Sequence, residues 1–162
     1  MADLESGRRV LLDTLNGVTE DVAARTPPGK WSILECVEHL AVSEDYLFSQ
    51  IGASHSSPVP VVNEKRENLI VARGMDRTKP VSSPEVGRPA GRFSTLAEAV
   101  RSFLATRERT LRFVENCGED LRSKLTTHPI IGSVNCYETL LMIAVHPKRH
   151  AEQIKELKKL AG

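Results

Sequence analysis

An all-α four-helix bundle is the architecture this sequence predicts, on three observations. Four segments of about 18 to 25 residues carry apolar side chains at helical spacing, and none can bury its stripe alone. Ser, Thr or Asn followed three residues later by Glu opens three of the four, the pattern of a capping box. Strand patterning is confined to fragments such as PVPVV and PIIGSV.

The first helix is predicted from about Leu4 to Val22, where Leu4, Leu11, Leu15, Val18 and Val22 make one apolar stripe; it stops before TPPGK. The second opens at Ser32 with Glu35 as its return partner, and Ile33, Val37, Leu40, Glu44 and Leu47 mark its inward side. From Gly52 to Arg92 prolines and serines gather, so this stretch reads mostly as loop, with NEKRENLIVARGMD as a short helix inside it. It is too long for a minimal hairpin, and predicts a crossover that passes over an end of the bundle or covers a site. Thr95 and Glu98 open the third long helix, followed by Leu96, Val100, Phe103, Leu104, Leu111 and Val114, with Asn116-Cys117-Gly118 as its stop. Asn135 and Glu138 open the fourth, which runs toward Leu160.

The 162 residues are read as one domain spanning 1–162, long enough to bury a core without disulfides. Lys and Arg number 22 against 21 Asp and Glu, so no global field favours nucleic acid or an anionic membrane. Few aromatics and no basic stripe beside them argue further against single-stranded nucleic acid. Cys36, Cys117 and Cys136 form no CxxC pair and no even disulfide framework, which fits a reducing cytoplasm. No apolar run reaches the roughly 18 residues of a membrane span.

The chemistry-bearing feature is AVHPKRHAEQI, in which His146 and His150 stand four apart and share a face if the segment is helical. His39, at the margin of the second helix's stripe, is the candidate third member; bundle cores host metals through ligands from facing helices. Three neutral imidazoles suit zinc, nickel, iron or copper better than magnesium or calcium, and leave a coordination position open. Each histidine taken singly also fits a surface or hydrogen-bonded core role, and the residues alone leave both readings standing. Pro147 adds a conflict. It cannot donate to the Ile143 carbonyl, so the helix either bends and keeps the two imidazoles convergent or breaks and restarts at the proline.

At these residues the sequence resembles the DinB-like superfamily, including YfiT-type metal-dependent hydrolases and thiol S-transferases. The likeness lies in KWSILECVEHL with His39, in the terminal His146, His150, Gln153 and Ile154, and in the order of SSPEVGRPAGRFSTLAEAV and HPIIG between them. It implies an up-down-down-up bundle, often a homodimer, that binds a divalent metal such as nickel or zinc through His39, His146 and His150. Pro147 departs from the pattern, since related sequences more usually carry a residue compatible with an unbroken helix there.

Relatives of this kind include bacillithiol- or mycothiol-dependent transferases and a mycothiol-dependent isomerase, so the resemblance implies a metal-dependent enzyme acting on a small molecule, with a low-molecular-weight thiol as cosubstrate or with water in hydrolysis. The rival expectation is a non-catalytic bundle that keeps the histidines as a structural or vestigial site and works through partner binding. Glu35, Glu38, Glu44 and Glu138 are the nearby carboxylates, none assigned as a base. Lys148, Arg149, Arg88 and Arg92 are candidate cations for an anionic thiol, and equally solvated surface charges. Cys36 reads as core, Trp31 as an anchor at the helix entry with a secondary place in the pocket, and His128 as a loop residue that could approach the site.

Overall fold

Caps decide where the helices begin. The computed structural model describes residues 2–57, 61–78 and 81–161, and its helices are α1 (Ala2–Leu15), α2 (Glu20–Ala24), α3 (Ile33–Gly52), α4 (Glu64–Met75), α5 (Leu96–Asn116) and α6 (Cys136–Ala161). Ser32 caps α3 through a reciprocal box: its hydroxyl accepts from Glu35 N at 3.1 Å and the Glu35 carboxylate accepts from Ser32 N at 2.6 Å. Asn135 and Glu138 do the same for α6, at 2.7 and 3.0 Å. At α5 the box is only half made, because Thr95 accepts from Glu98 N while Glu98 takes Ser94 N instead. A second carboxylate completes it, with Glu20 of α2 accepting from Leu96 N and Ala97 N.

The predicted first helix is divided. α1 ends at Leu15 because the chain turns at Gly17, whose φ of 75° belongs to glycine, and Thr19 then caps α2. The stripe survives the break: Leu4, Leu11 and Leu15 are buried, and Val18 and Val22 pack against the cluster that holds Leu11 and Leu15. NEKRENLIVARGMD forms α4 with Asn63 as its cap, and α5 stops at Asn116 as its sequence implies.

A small antiparallel sheet supplements the helices, in the order β1 (His55–Ser56), β2 (Lys124–His128), β3 (Gly132–Asn135). PIIGSV thus supplies a turn and most of one strand, whereas its partner KLTTH lacks the apolar alternation that would mark it. Most of PVPVV, residues 58–60, lies outside the described residues, and Val61 and Val62 are not in a strand.

Pairings along the chain fix the helix directions. Gly7 lies against Ala144 and Lys158 reaches the Thr14 carbonyl, so α1 and α6 run parallel. Glu44 meets Arg107 and Phe48 meets Phe113, so α3 and α5 are parallel as well. His39 faces His146 and His150 across an antiparallel α3–α6 pair. The bundle is therefore up-down-down-up, which explains the long connection: parallel neighbours cannot be joined by a short turn. α4 lies along α6 on the outside, with Gly74 against Val145.

Two apolar clusters make the core, one around Leu11, Val37, Leu40, Phe103 and Ile154, the other around Leu4, Leu47, Leu111, Leu140 and Ile143. Arg107 bridges them, fully buried, with its guanidinium over the Phe103 ring. It donates to both oxygens of buried Glu44 at 2.8 Å, to the Leu4 carbonyl at 2.5 Å and to the Ile143 carbonyl at 3.0 Å. This last bond answers the conflict over Pro147. The Ile143 carbonyl is the one that Pro147, lacking an N–H, leaves without a helical donor, and Arg107 supplies the donor from α5. The helix accordingly runs unbroken through Pro147 from Cys136 to Ala161.

Candidate metal centre

His39 lies two turns into α3, and His146 and His150 one turn apart on α6. Their Nε2 atoms converge: His39 to His146 is 3.0 Å and His146 to His150 is 3.1 Å. All three ligand atoms lie within 4.8 Å of one another, with the rings tilted or edge-on at centroid separations of 4.8 Å.

The neighbours of His39 set its tautomer. Its Nδ1–H donates to the Gly87 carbonyl at 2.6 Å, with the Ser43 hydroxyl 3.2 Å away, so Nε2 presents a lone pair. Gly87 ends a single turn, Glu85–Gly87, in the long connection. A Cβ there would fall 2.7 Å from Ser43 Oγ and 3.4 Å from His39 Cε1, so only glycine lets that carbonyl come so close. Of the two roles predicted for the connection, covering a site is the one this stretch performs.

Burial pushes the His39 pKa below its ordinary value. His146 and His150 are held well below theirs, by burial first and then by the other histidines and Arg149. Neutral imidazoles are what a metal requires. The donor set fits one ion. Each neutral ring has a single N–H; His39 has committed its own to Gly87, and the one proton of His146 cannot serve both neighbours through a single Nε2. Three Nε2 atoms meeting this way bring lone pairs together, a repulsion that a shared cation removes. Tetrahedral ligands at about 2.0–2.1 Å would stand about 3.3 Å apart, within a few tenths of the two separations found. His150 Nδ1 is buried without a hydrogen-bond partner.

The triad forms the floor of a cavity of about 560 Å³, the size of a small-molecule site. Trp31 does both jobs foreseen for it: it packs on the core at the entry to α3, and its ring lies 4.9 Å from His39 and 6.3 Å from His150, stacked on the latter. His128 also lines the cavity. Its Nδ1 accepts from Ile130 N at 3.1 Å and Ile131 N at 3.4 Å, which leaves the proton of the neutral ring on Nε2.

Other candidates stand elsewhere. Glu35 and Glu138 are spent on caps and Glu44 on Arg107. Burial would raise the Glu38 pKa, but donors from Ala90 and Arg92 hold it below its ordinary value. Cys36 is a core residue, its thiol pushed up to about 12 by burial. Lys148 faces Asp3, Arg92 faces Glu38 and Arg88 donates to Ser83; none of the three lines the cavity, whereas Arg149 does. Sequence reasoning missed Arg73, Arg77 and Lys30, which line it as well. The i,i+4 spacing of Arg73, near the end of NEKRENLIVARGMD, and Arg77, just after it, is the signal that was available.

A bundle with an open three-histidine centre between antiparallel helices is the class that fold and site define. The chain belongs to the DinB superfamily, whose model matches residues 3–154. It is 23% identical over 159 residues to the uncharacterized protein YuaE of Bacillus subtilis (strain 168), covering 98% of this chain and 96% of that one. Among solved structures it is similar to TT2238, a four-helix bundle protein (TM-score 0.60, 17% identity, 96% of this chain and 94% of the other). It is similar also to YfiT from Bacillus subtilis, described as a probable metal-dependent hydrolase with an unusual four-helix bundle topology (TM-score 0.60, 14% identity, 98% and 83%). At these identities the likeness establishes the fold.

Proposed function

We propose that this protein is a divalent-metal-dependent enzyme that transfers a low-molecular-weight thiol to an electrophilic small molecule. The observation that carries the reading is the meeting of three neutral Nε2 atoms at the floor of an open cavity. A zinc or nickel ion held there would supply a Lewis acid with a vacant position, at which a thiol or a water loses its proton near neutral pH. His39 is oriented for this by Gly87, and the Trp31 ring lies against His39 and His150. Among the described residues the one carboxylate lining the cavity is Glu156, and Arg77 holds it at 2.7 Å. With no other acid or base of that kind in the cavity, a thiol, a ready nucleophile once deprotonated, is favoured over a water that still needs help.

Hydrolysis is the second reading, and His128 favours it: its Nε2–H is a donor in the cavity that could serve a leaving group. The description of YfiT points the same way.

The test begins with tag-free protein. Its metal content is measured beside that of His150→Ala, with far-UV circular dichroism and a urea midpoint for each. Loss of about 100-fold in affinity with the fold retained supports an open functional centre. Collapse of the fold would instead favour the rival reading, a structural site in a partner-binding bundle, and absence of binding to the wild type at micromolar metal would remove the enzyme reading. A panel of small thiols with an electrophilic acceptor, run beside esters and amides, then separates the two chemistries: turnover requiring both metal and thiol selects transfer, turnover with water alone selects hydrolysis.

A further inference from the structure

The charge of the cavity is lopsided. Among the described residues Lys30, Arg73, Arg77 and Arg149 line it against one carboxylate, that of Glu156, although the chain as a whole is almost neutral. Two of these cations sit beside the metal centre. Arg149 directly precedes His150, and Arg77 donates toward Gln153, three residues beyond it, at 3.5 Å. Arg149 also donates to the Asp76 carbonyl, which draws the two guanidinium groups to one side of the triad at the junction of α4 and α6. Arg77 is poorly served: its Nε is buried without a hydrogen-bond partner, its bond to Gln153 is long, and its good contact is with Glu156, a carboxylate more than half exposed.

Like charges brought together in a partly buried place cost free energy unless an anion joins them. Asp76 lies close enough to act on Arg149, and Glu156 provides the anion for Arg77 from the surface, where an ion pair contributes little and is readily displaced. A substrate carboxylate or phosphate can offer the same oxygens with better geometry, since a guanidinium fork matches either group bidentately. Val81, Val86 and Ile130 are exposed apolar residues of the same lining, so the cavity offers apolar surface beside its cations.

We infer that Arg77 and Arg149 form an anion subsite beside the triad, and that the natural substrate is a metal-ligating small molecule whose anionic group displaces Glu156 from Arg77. This rests on the metal reading above and deepens it. The subsite selects among ligands of the metal by their charge, and Glu156 acts as its internal competitor.

The test uses the cobalt-loaded full chain, because a thiolate bound to cobalt gives a charge-transfer band that reports binding without turnover. Dissociation constants are measured for 3-mercaptopropionate, which is anionic, and 2-mercaptoethanol, which is neutral, at fixed pH. Wild type is expected to favour the anionic thiol about tenfold, the effect of one partly buried ion pair. In the Arg77→Gln/Arg149→Gln protein, saturated with cobalt, the preference should fall below about twofold; it is read as the ratio of the two thiol constants, in which any change at the metal common to both thiols cancels. Glu156→Gln should act in the opposite direction and tighten the anionic thiol about threefold. Equal binding of the two thiols to wild type overturns the inference. A preference that persists in the double variant also overturns it, because the metal would then be chelating the carboxylate by itself. If cobalt does not bind at all, the metal reading fails instead, which keeps the two failures distinct.

Discussion

The orientation of His39 is set by atoms that no metal in the triad would touch. The Gly87 carbonyl holds the Nδ1 proton, and Ser43 packs against the same nitrogen. Gly87→Ala puts a methyl group where Ser43 Oγ and His39 Cε1 stand, so the loop must withdraw and release the imidazole. Zinc affinity is expected to fall about tenfold to 100-fold with little change in the urea midpoint, measured by competition with a chromophoric chelator. An affinity unchanged within twofold would show that the ring keeps its orientation without Gly87.

Among the elements, α6 decides whether the centre exists, because Pro147 lies between two of its three histidines. The Ile143 carbonyl, deprived of its helical donor, accepts from Arg107 instead, whose charge is met by Glu44. Arg107→Lys keeps that charge but loses the fork that reaches Glu44, Leu4 and Ile143 together, and should cost about 2–3 kcal/mol in urea unfolding. In a Pro147→Ala background an amide at 147 serves the carbonyl, so the same substitution should cost about 1 kcal/mol less. Strict additivity in the double-mutant cycle would mean that Arg107 and Pro147 act independently.

For the molecule as a whole, the buried histidines tie stability to pH. His39, His128, His146 and His150 are all held below the ordinary value of 6.5. Above that pH both folded and unfolded chains hold them neutral. As the pH falls below 6.5, the unfolded metal-free chain takes up protons that the folded one refuses, and stability drops by up to about 1.4 kcal/mol per pH unit for each such histidine. Urea midpoints of the metal-free protein should be level from pH 8 to 7 and decline below about 6.5, and His146→Gln/His150→Gln should flatten the decline. A wild-type profile flat to pH 5.5 would contradict the burial of these rings. Among the described residues no helix is long and apolar enough to cross a membrane.

Much of this was legible in order along the chain. Helix stripes and capping boxes are local, so Ser32, Thr95 and Asn135 announced where three long helices start, and the spacing of His146 and His150 announced a shared face. The turn at Gly17 does not show in the stripe from Leu4 to Val22, because a stripe can continue across a turn when both sides face the interior. KLTTH became a strand through its neighbours rather than through its own pattern. The sequence by itself thus determined the starts and buried faces of the long helices and the shared face of His146 and His150. The resemblance implied the up-down-down-up order, but tertiary structure alone decided which residues pair α1 with α6 and α3 with α5, that Arg107 repairs the helix at Pro147, and that Gly87, Arg77 and Arg149 gather around the triad. Those outcomes depend on partners 36 to 144 residues apart, and such meetings are settled by packing and by the need to satisfy every buried polar group, neither of which a local pattern records.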